Sequence, residues 1–302
     1  MAATEDLKAT NWGRWGADDE RGALNLLTAD VVLAATQVCR TGKMYHLGLP
    51  VQREGMPIID YRGAPQRLTL TNQSDADMWA AFGAAPDVGA NEDILVMASH
   101  TITHMDALCH VFAAGTVYNG FPADSFRTHT GAPHCGIDKV LGIAGRAILL
   151  DLPRHAGVDW LEPGHVIGSD ELAACAADQG IEPRAGDILL IRTGYLDQFF
   201  SLAGAEAPAG QPGIGLGAVE FIRDHDFAAV GSDNSAVEVI PFDENKFLGV
   251  HIELLIKLGV PLIEHLRLSE LAADGTHESL LIVAPLLVTG ATGSPVNPIA
   301  IG

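Results

Sequence analysis

Ala147-Ile-Leu-Leu-Asp-Leu152 and Asp187-Ile-Leu-Leu-Ile-Arg192 are two short apolar runs. Between them lies a segment that opens Ser169-Asp-Glu171 and reaches Gly180. Brief apolar runs bounded by turn residues read as buried strands, and a segment with an acidic first turn and a closing glycine reads as a helix. The pattern then repeats. Residues 218–226 read as a helix and Phe227-Ala-Ala-Val-Gly231 as a strand; 250–258 read as a helix stopped by Gly259, with Pro261-Leu-Ile-Glu264 extended after it. Strands alternating with helices from Ala147 to Glu264 predict an α/β core.

Outward from that core the signals are more local. Leu280 to Thr289 reads as a last strand, and Arg67-Leu-Thr-Leu-Thr71 alternates like a half-buried one. Asp93-Ile-Leu-Val-Met-Ala-Ser99 reads as a buried strand, and Thr28 can cap a helix reaching about Cys39. Gly204 to Gly217 is the most linker-like stretch, yet short enough to be a surface loop, so residues 1–302 read as one domain.

Composition narrows the function. The 302 residues include 18 basic and 38 acidic side chains, a formal net charge of −20. Such a surface repels phosphate backbones and anionic lipid, so neither nucleic acid nor membrane is expected as a partner; a small-molecule substrate is. No apolar run approaches the ~20 residues that span a bilayer. No basic-then-apolar leader is seen, and the four cysteines (Cys39, Cys109, Cys135, Cys175) show no C-x-x-C spacing. They read as reduced thiols, with a cytoplasmic location expected.

The chemistry concentrates in His100-Thr-Ile-Thr-His104-Met-Asp106-Ala-Leu-Cys-His110. Thr101, Ile102 and Thr103 are β-branched and favour extended backbone. An extended chain would aim the even-numbered His100, His104 and Asp106 at one side. A helix would instead pair 100 with 104, and 106 with 110. Two imidazoles and a carboxylate on one face suit Zn²⁺ or a similar cation; the plain alternative is a polar strand end with local hydrogen bonds. A second pair is His251, early in an apolar helix, and Glu264, a carboxylate closing an apolar run that needs a partner or a cation if buried. Glu253 competes with Glu264, although its helix position suits a solvated face.

His-x-x-x-His-x-Asp-x-x-x-His resembles the signature of the "putative cyclase" family of metal-dependent hydrolases, which includes bacterial kynurenine formamidase, isatin hydrolase and a metal-dependent trans-dienelactone hydrolase. Supporting stretches are Asn11-Trp-Gly-Arg-Trp-Gly-Ala-Asp18, Tyr118-Asn-Gly120, Gly231-Ser-Asp-Asn-Ser235, His251-x-x-Leu-Leu255 with Gly259-Val-Pro-Leu-Ile-Glu264, and Thr292-Gly-Ser-Pro295. The resemblance implies a swivelling β/β/α domain with mixed sheets. It implies that His100, His104 and Asp106 hold a first metal, Zn²⁺ or Mn²⁺. His251 and Glu264 would complete that sphere or hold a second ion, and His110 would act as acid/base or, alternatively, as a further ligand. The implied reaction is hydrolysis of an amide or lactam in a small cyclic or aryl substrate, with lactone hydrolysis as the alternative and an inactive metal-binding module as the alternative of another class. It also implies a homodimer or homotetramer, with residues 1–40 as an N-terminal extension on the core or a neighbouring subunit. Ile102 and Leu108 stand where the family pattern has glycine and proline, and a β-branched residue resists positive φ.

Other features carry less. Cys109 and His110 are adjacent, and on an extended chain adjacent side chains point apart, against a thiol nucleophile. Gly213-Ile-Gly-Leu-Gly217 lacks the preceding strand of a dinucleotide loop and reads as a turn before a helix. Asp233 and Asn234 follow an apolar strand and either line a pocket or start a turn. Trp12, Trp15 and Trp79 either pack or help close the pocket; among them Trp79 joins Asp233 and Asn234 as a substrate-binding candidate. His129, His134, His155, His165, His225, His265 and His277 show no paired spacing.

Overall fold

The computed structural model describes residues 10–202 and 209–302. Its strands in chain order are β1 (Met44–His46), β2 (Gln66–Thr71), β3 (Glu92–Val96), β4 (His104–Asp106), β5 (Ile143–Asp151), β6 (Val166–Ile167) and β7 (Ile188–Arg192). They continue with β8 (Gly213–Ile214), β9 (Ala229–Ser232), β10 (Leu262–Glu264), β11 (Glu278–Val283), β12 (Gly293–Pro295) and β13 (Ile299–Ile301). The helices are α1 (Ala29–Ala35), α2 (Ala76–Ala81), α3 (Leu152–Ala156), α4 (Ser169–Asp178), α5 (Tyr195–Ser201), α6 (Val219–Asp224), α7 (Gly249–His251) and α8 (Ser269–Ala273).

Nine strands form one mixed sheet in the order β1-β13-β11-β5-β7-β9-β10-β4-β12. The centre, β5-β7-β9-β10, is parallel. Parallel neighbours need crossover connections, which the helices of the 152–258 region supply. Ile148, Leu150, Ile188, Leu189, Leu190, Val230, Leu262 and Ile263 are wholly buried, which explains why these strands are apolar without alternation. The mixed α/β architecture agrees with the fold expected from the resemblance.

Several local expectations need correction. Strand β3 is exposed, not buried: among the described residues it pairs only with β2, and Ile94, Leu95 and Val96 all face solvent within this chain. The strand expected at 280–289 is β11, which ends at Val283, ahead of Pro285, since proline cannot donate to a ladder, and it is not the last: β12 and β13 follow it. Thr28 caps α1 as expected, accepting from Val31 N at 3.4 Å, but the helix turns 3₁₀ at Thr36–Val38. The helix at 250–258 is α-helical only through His251 and π-helical from Ile252 to Leu258. Of the 204–217 stretch, 204–208 lie outside the described residues, while Gln211–Gly215 are buried beneath Val237–Ile240 and do not form a surface loop. All four cysteines are free thiols.

Candidate metal centre and cleft

The site sits at the carboxyl ends of the parallel strands, where α/β sheets present their functional groups. Strand β4 runs antiparallel to β10 with Glu264 directly opposite His104, so those side chains are neighbours on one face. Asp106, two residues after His104, shares that face. The extended reading therefore applies to 104 and 106 only. Ser99 and His100 lie in a turn and Thr101–Thr103 in a bend, and His100 reaches the site from that turn. Gly293 of β12, paired with Asp106, leaves the space: a Cβ there would lie 2.5 Å from His100 Nε2.

Five donors converge. Asp106 Oδ1 lies 3.3 Å from His100 Nε2 and 3.6 Å from His104 Nε2. His104 Nε2 is 3.1 Å from Glu264 Oε2, and His251 Nε2 is 3.5 Å from Glu264 Oε1 and 3.7 Å from Asp106 Oδ2. Side chains 100, 106 and 110 form one potential ligand group and 106, 251 and 264 a second, with Asp106 common to both. His110 stacks on His100, ring centroids 3.8 Å apart.

The orphaned atoms test whether a cation fits. His104 Nε2 and both Asp106 oxygens are buried without a hydrogen-bond partner. Uncompensated buried carboxylates are costly, whereas a divalent cation satisfies all three atoms at once. The outer faces of the imidazoles are already held. His104 Nδ1 bonds Ile102 O at 2.7 Å, which leaves Nε2 bare as a ligand. His251 Nδ1 bonds the Glu238 carboxylate, which also accepts from Val250 N at 3.1 Å. The residues fit a metal.

Electrostatics follow the same geometry. Burial pushes His100 down to about 3 and lowers His110, the latter against the pull of Asp106. Burial opposes protonation of His251, but the Glu238 and Glu264 carboxylates override it and raise the ring to about 10. His104 is raised by Glu264 in the same way, against its burial. Burial would lift Glu264, yet the facing His104 and His251 hold its carboxyl well below the usual range. Burial pushes Cys109 up to about 12, which keeps the thiol protonated beside His110.

His110 lies where two clefts meet. One, of about 390 Å³, is walled by Cys109, Phe112, Val117, Phe126 and His134. The other, of about 530 Å³, contains His110, His251 and Glu264 together with Tyr61, Arg62, Phe112, Phe242 and Phe247.

The proposed substrate residues lie elsewhere. Asp233 is turned inward, accepting from Thr193 N, Thr193 Oγ1 and Gly194 N at 2.7–2.8 Å. Asn234 Nδ2 donates to Pro212 O and Val237 O. Both tie the loop after β9 to its neighbours, and neither lines either cleft. Trp79 packs on Gly89 beneath Phe82, also outside both clefts. Sequence reasoning missed Glu238 and His265. Glu238 interrupts the apolar run Ala236-Val-Glu-Val-Ile240, the same signal that singled out Glu264. His265 is buried with Nδ1 3.2 Å from Ile102 O and its ring against His104; nothing in its spacing marks it.

The family model described as "Putative cyclase" matches residues 45–239. A crystal structure described as a novel cyclase is 34% identical over 97% of this chain and 99% of its own, with a TM-score of 0.87. Isatin hydrolase A from Labrenzia aggregata, bound to benzyl benzoate, shares the fold at 17% identity and a TM-score of 0.61, covering 88% of this chain and 94% of that one. A predicted metal-dependent hydrolase from Bacillus stearothermophilus is similar at 21% identity and a TM-score of 0.52, over 85% and 97% of the two chains. No curated protein matches the chain.

Proposed function

The chain belongs to the putative cyclase family, and from that premise we propose that it is a metal-dependent hydrolase cleaving the amide or lactam C–N bond of a small cyclic or aryl substrate. The observation that carries the reading is the orphaned set, His104 Nε2 and both Asp106 oxygens, buried behind His110, His251 and Glu264, which line an aromatic-walled cleft. His100, His104, Asp106, His251 and Glu264 would hold one or two divalent ions. Mixed imidazole and carboxylate donors suit Zn²⁺ or Mn²⁺.

A divalent ion bound there would lower the pKa of a water to ~7 and polarise a carbonyl. The rest falls to the chain's own residues. Glu238 and the Ile102 carbonyl fix the orientation of His251 and His104. His110, neutral near pH 7 because burial lowers its pKa, accepts the proton of the attacking water and returns it to the leaving nitrogen. An amine leaves poorly without that proton, which is why an intact His110 favours amide over lactone as substrate. Tyr61, Phe112, Phe242 and Phe247 would stack on a planar ring and exclude water.

The test is metal analysis of protein purified without chelator, combined with His110→Ala. At least one equivalent of Zn²⁺ or Mn²⁺ is expected, and the variant should keep the metal while losing ~10²–10⁴-fold in turnover of formanilides or isatins. Loss of metal from the variant would make His110 a ligand; metal-loaded wild type inert to amides, lactams and lactones would overturn the hydrolase reading.

We also propose a homodimer or homotetramer in the cytoplasm. Free thiols fit the compartment. The assembly is supported by the ribbon β2–β3, whose Leu68, Leu70, Ile94 and Val96 are exposed in the single chain.

A further inference from the structure

We propose that the substrate carries a carboxylate and that Arg62 binds it, which makes Arg62 the specificity-determining residue of the cleft. The inference deepens the hydrolase reading and rests on it for the identity of the bond cleaved. Among the residues lining the two clefts, Arg62 is the one side chain with a permanent positive charge. It shares its cleft with His110, His251 and Glu264.

The guanidinium is held in place before any ligand arrives. Nη1 donates to the His100 carbonyl, Nε donates to Tyr61 Oη at 3.1 Å, and the guanidinium carbon lies 5.5 Å from the centre of the Tyr61 ring. No carboxylate of the chain pairs with it among the described residues, although acidic side chains outnumber basic ones by 38 to 18. Nη2 has no protein partner among the described residues. An arginine left unpaired in so acidic a chain, anchored on two sides and open on a third, presents N–H donors in the fork that matches a carboxylate.

Placement supplies the rest. Through the His100 carbonyl, Arg62 is tied directly to the turn that delivers one of the five convergent donors. A ring stacked between the cleft aromatics could therefore reach the metal donors with its amide and Arg62 with an acid group. The net charge of −20 repels anions at long range, so recognition of an acid requires a fixed local cation of this kind.

The experiment compares benzoate with benzamide as equilibrium ligands of the metal-loaded protein by calorimetry, for wild type, Arg62→Gln and Arg62→Lys. Gln keeps a neutral donor for the His100 carbonyl while removing the charge. Wild type should prefer benzoate at least tenfold, Arg62→Gln should lose that preference with its metal content unchanged, and Arg62→Lys should keep part of it. In parallel, the kcat/KM ratio of 2-formamidobenzoate to formanilide should fall at least tenfold in Arg62→Gln. A wild type without preference for benzoate, or a preference unchanged in Arg62→Gln, overturns the inference. Should Arg62→Gln lose its metal, Arg62→Lys decides: a metal-loaded lysine variant that favours benzamide overturns it, and one that favours benzoate sustains it. Preference for benzoate without turnover of amides, lactams or lactones would sink the hydrolase reading and leave anion recognition by Arg62 standing.

Discussion

Ile102 is a β-branched residue at φ 61°, a conformation that costs an L-residue roughly 1–2 kcal/mol. What holds it there is visible on both sides. Its side chain is buried with Leu49, Tyr195 and Leu196, and its carbonyl accepts from His104 Nδ1 and lies 3.2 Å from His265 Nδ1. Glycine would relieve the backbone but forfeit about 2–3 kcal/mol of apolar burial. Ile102→Gly and Ile102→Ala should therefore both be less stable than wild type. The glycine variant should be the better of the two by about 0.5–1 kcal/mol, because only alanine retains the strain. Urea denaturation of the pair decides, and the reverse order would mean that the positive φ carries no strain. Glu238 yields a second prediction. In Glu238→Gln the amide oxygen can still accept from Val250 N, but the charge facing His251 is gone; metal affinity should fall ~10–100-fold, read by competition with a chelator, with the fold retained.

Among the elements, the ribbon β2–β3 is the least self-sufficient. A two-stranded hairpin is marginal in water, and pairing Leu68 with Ile94 and Gln66 with Val96 gathers apolar side chains on one side. The proposed assembly covers that side. Leu68→Lys/Ile94→Lys should shift the mass seen by light scattering toward the monomer; unchanged mass would put the subunit contact elsewhere. The same ribbon shows where sequence reading runs out. Ile94-Leu-Val-Met97 is as apolar as Ile188-Leu-Leu-Ile191, yet only the latter has helices over it, and a run of residues does not reveal what will cover it. In the candidate site, His104, Asp106 and Glu264 were legible because strand period and a buried carboxylate are local signals. His100 joins them through a turn, not the extended chain its spacing suggested. Glu238 and His265 depend on contacts across 13 and 163 residues of sequence, respectively. Asp233 and Asn234 follow a strand end as pocket residues do, and the sequence could not show that Thr193 and Gly194 would occupy the Asp233 carboxylate or that Asn234 Nδ2 would be spent on Pro212 O and Val237 O.

The whole molecule buries a dense set of imidazoles, and its stability should depend on pH accordingly. Burial lowers His265 from 6.5 to about 4 in the folded chain. Between those values the unfolded chain binds a proton that the folded one refuses, so stability rises with pH across that window and is lost as pH falls from 6.5 toward 4. The contribution is about 3 kcal/mol. His265→Asn should flatten the fall in urea midpoint between pH 7 and pH 4; an identical slope in both proteins would show that His265 is not the group responsible.

At the far end of the segment that carries His251, three carbonyls are taken by residues from the start of the described chain. Asn11 N reaches Lys257 O and Asn11 Nδ2 reaches Leu258 O, both at 2.9 Å, and Trp12 Nε1 reaches Ile256 O at 2.7 Å. A minimal enzyme cut to the boundaries of the family match, 45–239, would discard this clasp along with His251 and Glu264. Anyone trimming the gene for crystallisation or display should thus treat the opening tryptophan loop as part of the working machinery.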